Sequence, residues 1–227
     1  MQDSKKKLVV AIDGPAGAGK STVAQLAAKA LGYTYIDTGA MYRAVAWKTL
    51  QQKKEVTDEL IVSLMPEIDV NLRYAEGKTV VKVDGRDVTG EIRTPEINAI
   101  VSQVARLGPV REKMVDLQRK MADEGGVLMD GRDIATNVLP GADVKIFLTA
   151  SIEERAKRRY LEMKAKGSED SYEQVLEAVV KRDEQDMKRP VEPLRQAEDA
   201  ILVDSTNLSF DEVVEAILKI VEAKRHG

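Results

Sequence analysis

The sequence has no cysteine and a single histidine, His226. Without thiols there is no disulfide framework, no thiolate nucleophile and no sulfur-ligated zinc. One histidine cannot furnish a Ser-His-Asp triad or a multi-histidine metal centre, and at position 226 it reads as a solvated tail residue. Aromatic side chains make up only 4% of the chain, too few for the stacking platforms that grip single-stranded nucleic acid. Neither sign of charge dominates: 35 basic residues stand against 38 acidic ones, a formal net charge of -3, which argues against a coat for DNA or RNA. No apolar run approaches the roughly 20 residues of a membrane span. The run Leu8–Ile12 behind the basic segment Met1–Lys7 is too short for a signal-peptide core. These absences predict a cytoplasmic protein with neither nucleic-acid nor membrane partners; a monomer is the expectation, though no feature of the sequence fixes the oligomeric state. Its chemistry must come from Asp, Glu, Lys, Arg, Ser, Thr, Tyr and backbone groups.

What is present suffices for a folded core. Hydrophobic residues are 43% of 227, which excludes wholesale disorder and leaves room for one large domain or two small ones. Leu8–Ile12 is a β-branched apolar run that ends at Gly14-Pro15, the mark of a strand buried on both faces. Similar runs recur at Tyr33–Ile36, Val127–Met129, Val144–Leu148 and Ala200–Val203. Helical patterns lie between them. Ser21–Leu31 closes at Gly32, and Ser151 with Glu154 opens a helix that runs to about Lys166 and closes at Gly167. Ser171 with Gln174 and Ser209 with Glu212 repeat that start signal. Strands alternating with helices predict a doubly wound α/β sheet. One stretch departs from the pattern. Val70–Tyr74, Thr79–Val83 and Arg86–Val88, separated by Ala75-Glu76-Gly77-Lys78 and Asp84-Gly85, read as a small antiparallel meander. Thr94-Pro95 then starts a helix, with Thr at the N-cap and Pro in the first turn.

Gly14-Pro15-Ala16-Gly17-Ala18-Gly19-Lys20-Ser21 matches G-x-x-x-x-G-K-S/T, between a predicted strand and a predicted helix. Glycines let backbone N–H groups turn inward around phosphate oxygens, and the helix N-terminus adds partial positive charge. Lys20 reaches the β- and γ-phosphates, and the Ser21 hydroxyl can ligate Mg²⁺. The pattern predicts nucleoside triphosphate binding but does not say what is done with the nucleotide.

Phosphoryl transfer needs concentrated cations, and arginines cluster at informative places. Asp37-Thr38-Gly39-Ala40-Met41-Tyr42-Arg43 and Asp130-Gly131-Arg132-Asp133 each follow a strand run, where ligands bind in parallel sheets. Each is also compatible with a capped turn. Asp130 is placed to serve Mg²⁺, while Arg132 could instead anchor Asp130. Arg155, Arg158 and Arg159 share one helix face, predicting either a lid over ATP phosphates or a solvated face paired with Glu153, Glu154 and Glu162. Arg182, Asp186 and Arg189 are spaced for one helix face that could hold a sugar hydroxyl and a phosphate, although Pro190 disfavours helix at Arg189.

From about Leu8 to about Ile220 the chain resembles the bacterial cytidylate kinases, a family of nucleoside monophosphate kinases. The resemblance is carried by Ile12 through Ser21, Asp37 through Arg43, Gly90-Glu91-Ile92-Arg93-Thr94, Ser102-Gln103-Val104-Ala105, Val110-Arg111, Asp130 through Asp133, Lys145-Ile146-Phe147-Leu148 and Lys181-Arg182-Asp183. It implies an α/β P-loop NTPase fold: a five-stranded parallel core with helices on both faces, a small antiparallel insertion and a helical lid. The segments fall at about 8–64, 94–150 and 190–227 for the core, 65–93 for the monophosphate-binding insertion and 151–189 for the lid. It implies transfer of the ATP γ-phosphoryl group to CMP or dCMP with Mg²⁺. Lys20, Arg132, Arg158 and Arg159 would be catalytic. Gly14 through Ser21, with Thr22 and Arg158, would hold ATP, and Ser21 with Asp130 the metal. Arg43, Arg132 and Arg189 would hold the acceptor phosphate, Thr38 and Tyr42 line its pocket, and Arg182 with Asp186 reach the sugar. Ser102, Arg111 and Asp133 would read the base: cytosine offers an amino donor that a carboxylate accepts, whereas uracil presents a carbonyl there. Some members of the family have Ser in place of Thr38 and Gly in place of Ser21. The rivals are a kinase of another small acceptor, such as UMP or shikimate, and a GTP-dependent switch. A switch would need an N-K-x-D motif, which is absent; Asp87-Val88-Thr89-Gly90 matches D-x-x-G but falls in the meander.

Overall fold

The computed structural model describes residues 7–75 and 78–226, so Glu76 and Gly77 of the first meander turn, and the basic segment before Lys7, lie outside the described residues. The elements in chain order are β1 (Val9–Asp13), α1 (Lys20–Leu31), β2 (Thr34–Asp37), α2 (Thr38–Gln51), α3 (Asp58–Ser63), β3 (Val70–Ala75), β4 (Lys78–Val83) and β5 (Arg86–Asp87). Then follow α4 (Pro95–Arg106), α5 (Gly108–Ala122), β6 (Val127–Gly131), a wide helical turn at Ile134–Val138, β7 (Val144–Thr149), α6 (Ile152–Ala165), α7 (Tyr172–Lys188), β8 (Ile201–Asp204) and α8 (Phe210–His226).

Five strands form one parallel sheet in the order β2-β6-β1-β7-β8. Each of the five strand runs predicted for this sheet is present, shifted by a residue toward its C-terminal end or extended there. In β1 and β6 the apolar runs are continuous rather than alternating because both faces are covered, whereas the edge strand β8 leaves Ile201 and Leu202 exposed. Leu8, Val10 and Ile12 pack on Val23, Ala24 and Ala27 of α1 and on Val213 and Ile217 of α8. Ala11 points to the other face, with Val115 of α5 and Ile134 and Val138 of the wide turn. A third cluster joins α2, α3 and α4 to the separate antiparallel sheet β3-β4-β5.

Local signals set most boundaries. Gly32 ends α1 in the left-handed region, at φ 68°, and its N–H bonds back to Lys29 O. Asp84 and Gly85 both take positive φ, at 51° and 81°, as a two-residue hairpin turn between β4 and β5 requires. Ser171 and Gln174 form the full reciprocal cap of α7, and Ser209 and Glu212 do the same before α8. The box expected at Ser151 is only half made. Its Oγ accepts from Glu154 N, but its own N–H goes to Thr206 Oγ1, and the Glu154 carboxylate turns to Arg158. Asp87–Gly90 is a turn in which Asp87 accepts from Thr89 N at 2.9 Å. Among the described residues no helix is long and apolar enough to cross a membrane.

Candidate active site

Gly14–Gly19 connects the end of β1 to the start of α1. Close packing dictates its glycines. A Cβ at Gly14 would lie 1.9 Å from the backbone oxygen of Leu148 on the neighbouring β7, and backbone there cannot yield. Gly14→Ala is therefore expected to lose stability at the upper end of the about 1–3 kcal/mol that overpacking costs. A thermal melt indistinguishable from wild type would contradict this. Gly19 takes φ 84° and carries the ring of Phe210 against it.

Lys20 is buried inside the loop and donates to Pro15 O at 2.7 Å. Burial lowers its ammonium to about 7. The neighbouring Arg132 guanidinium adds to this, and Asp130, Asp186 and Asp13 oppose it. Ser21 Oγ donates to Asp130 Oδ2 at 3.0 Å, and the buried Tyr35 hydroxyl donates to Asp130 Oδ1 at 2.8 Å. Burial, then the charge of Asp37, raises Asp130 to about 6. Arg132 does not anchor Asp130; its Nε goes to Asp186 at 2.7 Å.

Asp37 caps α2 by accepting from Ala40 N at 2.9 Å, so the capped turn is real, and its second oxygen takes Arg93 at 2.6 Å. Thr38 Oγ1 donates to Asp130 O at 2.7 Å, which ties α2 to β6. Arg43, one turn into α2, is the most telling side chain of the site. Its Nε is buried with no hydrogen-bond partner among the described residues. Burial lowers its guanidinium to about 10; Asp37 opposes this, and Arg93, Arg182 and Arg132 deepen it by repulsion. Four guanidinium groups thus converge, one of them, Arg132, beside Lys20, in a protein of negative net charge.

The remaining predicted residues form two linked threads. Ser102 Oγ on α4 accepts from Arg182 at 2.5 Å, Arg182 pairs with Asp186 at 3.3 Å, and Asp186 pairs with Arg132. In the second thread Asp133 pairs with Arg111 through one oxygen and with Arg189 at 2.9 Å through the other. Tyr42 lies under the Arg111 guanidinium, 5.9 Å from ring centroid to charge centre. Arg189 does not share the helical face of Arg182 and Asp186. It ends α7 in extended backbone, as the following Pro190 requires, and so reaches Asp133 instead.

The α6 arginines separate by role, which corrects the reading of one shared cationic face. Arg155 is buried and points inward, donating to Ala16 O and Ala150 O at 3.0 Å each and pairing with the buried Asp183 at 2.7 Å. Arg158 is held by Glu154 at 2.9 Å and by Ser205 O at 2.7 Å, 5.8 Å from the Phe210 ring. Arg159 is a surface residue paired with Glu162 at 2.9 Å. The pairing with acidic neighbours therefore holds for Arg158 and Arg159 in this conformation, and neither bonds to the loop. Pro15, Ala16, Gly17, Ala18 and Thr22 stay in or directly behind the loop. Tyr35 and Asn137 enter the network without being foreseen, and Arg93, noted only within Gly90–Thr94, has no role assigned from the sequence; the partners of Tyr35 and Arg93 lie far away in sequence, whereas Asn137 meets Asp133 four residues before it.

A family model described as cytidylate kinase matches residues 10–223. The chain belongs to the cytidylate kinase family. A cytidylate kinase from Caldicellulosiruptor bescii is 51% identical over 216 residues, covering 95% of this chain and 96% of that one. The cytidylate kinase of Bacillus subtilis is 52% identical over 221 residues, covering 97% and 99%. The fold is also shared with the crystal structure of an uncharacterized protein from Eubacterium ventriosum. It has TM-score 0.52 and 14% identity, and the match covers 96% of this chain and 99% of that one.

Proposed function

We propose that this chain transfers the γ-phosphoryl group of ATP to CMP or dCMP, giving ADP and CDP or dCDP. The observation that carries this is the convergence of Arg93, Arg132 and Arg182 on Arg43, with Arg132 also next to the buried Lys20. Mutual repulsion and an unpartnered Arg43 Nε cost free energy that a bound anion would offset. Membership in the family supports the choice of donor and acceptor.

In this reading the loop N–H groups and Lys20 receive the ATP phosphates. A polyanion beside Lys20 restores the charge that burial and Arg132 disfavour. Ser21 and Asp130 would hold Mg²⁺. Their hydroxyl and carboxylate oxygens, 3.0 Å apart, are the hard donors this ion takes. When bound, the ion neutralises negative charge on the phosphates. Arg43, Arg132 and Arg189 take the acceptor phosphate. Arg189 exchanges its bond to Asp133 Oδ1 for that phosphate, which frees this oxygen to accept from the cytosine amino group. Arg111 and Ser102 complete base reading, Arg182 and Asp186 reach the sugar, and Thr38 and Tyr42 line the pocket. No general base is needed, since the acceptor is already an oxyanion.

Residues 65–93, with the β3-β4-β5 sheet, form the acceptor-side insertion, and residues 151–189, with α6 and α7, form a lid. Closing the lid would bring Arg158 and Arg159 to ATP. To reach ATP, Arg159 would give up only its exposed pair with Glu162 on the same helix, a weak tie, while Arg158 would release Ser205 O.

The test is an acceptor panel with ATP. CMP is expected ahead of UMP and of non-nucleotide acceptors such as shikimate, and the opposite order overturns the reading. Asp133→Ala is expected to reduce the preference for CMP over UMP by about tenfold to a hundredfold in kcat/KM, the size of one lost base contact. Equal losses on both substrates would assign Asp133 a purely structural role.

A further inference from the structure

The five-residue turn Ile134–Val138 has π-type bonding: Val138 N reaches Asp133 O and Leu139 N reaches Ile134 O. Asp133 stands at its N-cap position. An aspartate there ordinarily folds its carboxylate onto the first free N–H groups of its own helix. Asp133 makes no such bond, and its oxygens go to Arg111, Arg189 and the Asn137 amide. The free N–H groups are satisfied from elsewhere. Ile134 N and Ala135 N each donate to a different oxygen of Asp13, both at 2.8 Å.

Asp13 is the last residue of β1, 1% exposed, directly before the phosphate loop. A carboxylate at the end of the buried run Val10-Ala11-Ile12 is costly unless its oxygens are satisfied. Here both are satisfied by backbone N–H groups at the start of the turn.

We propose that Asp13 is a positioning residue for base recognition: it caps the Ile134–Val138 turn from β1 and so keeps the Asp133 carboxylate off its own backbone, free for the acceptor. This rests on the reading of Asp133 as the group that accepts from cytosine. Asp13 touches no substrate in this scheme. Without that cap, the N-cap residue Asp133 is the acceptor its position offers to the freed N–H groups, and turning there takes it out of the pocket.

The test uses Asp13→Asn, which offers one acceptor oxygen where two are needed, and Asp13→Ser, which keeps a single short acceptor. For each, kcat/KM is measured for CMP and UMP on the same preparation, so that the ratio cancels any loss of folded protein. The CMP-over-UMP ratio is expected to fall at least about fivefold in both variants, the worth of one lost cap. The fall comes through a raised KM for CMP. Placed in an Asp133→Ala background, the same substitutions leave the ratio unchanged. An unchanged ratio in both single variants overturns the inference, as does an equal further fall in the Asp133→Ala background. If Asp133→Ala alone leaves the ratio unaltered, the base-reading role of Asp133 fails, and the inference fails with it for that separate reason.

Discussion

Lys20→Ala is expected to lower turnover of CMP with ATP by about 10²–10³-fold while leaving the fold intact. The size follows from removing one preorganised cation from a water-poor site, where each group that stabilises transition-state charge is worth that much. The fold survives because Lys20 contributes little to it. Its ammonium is buried, makes one bond to Pro15 O, and is held down to about 7 by burial and by Arg132, so the empty protein holds this charge reluctantly. A thermal midpoint equal to or above that of the wild type is expected alongside the lost activity. CMP affinity by calorimetry should persist, since the acceptor arginines are untouched. Unchanged turnover would sink the assignment, and lost CMP binding would mean that Lys20 organises the acceptor side as well.

The second large effect is on stability. Arg155→Met removes one partner of a buried ion pair and leaves Asp183 charged in a site where it is only 6% exposed. Breaking such a pair costs about 3–5 kcal/mol, which for a domain of this size lowers the melting temperature by about 6–20 °C. The bond from Arg155 to Ala16 O is lost too, so the phosphate loop loosens and ATP affinity falls with stability. Replacing both charges, as Arg155→Met with Asp183→Leu, is expected to recover most of the melting temperature but not the ATP affinity, because only the charge penalty is relieved. A melting temperature within about 2 °C of wild type for Arg155→Met would show that the buried pair is not integral to the fold.

Arg155 also shows what spacing along a helix can and cannot say. The pattern at 155, 158 and 159 places these residues on neighbouring positions of one turn, and the helix is there. Small angular differences then send Arg155 into the interior toward Asp183, Arg158 along the flank to Ser205, and Arg159 into solvent. The helix α2 was legible only as the element that must follow β2. Ala40, Met41, Ala44, Val45, Ala46 and Trp47 are all buried, so it lacks the polar face that gives a helix its periodic signature. The Asp37 and Asp130 motifs were found because strand ends and turn residues are local features. The roles of Arg93 and Tyr35 were not, because no local rule assigns a partner tens of residues away.

The sequence by itself determined the parallel strands, the phosphate loop, the antiparallel meander and the absence of any thiol or histidine chemistry. Each of these follows from short-range causes: β-branched runs, glycine conformations, capping residues and simple composition. Only the tertiary structure decided which aspartate each arginine meets, and therefore which cations remain for anions. Coulomb energy depends on distance and burial, and both are set by the packing of β1, β6, α2 and α7 against one another. The chain of net charge -3 thus carries a cluster of mutually repelling guanidinium groups that its charge total conceals.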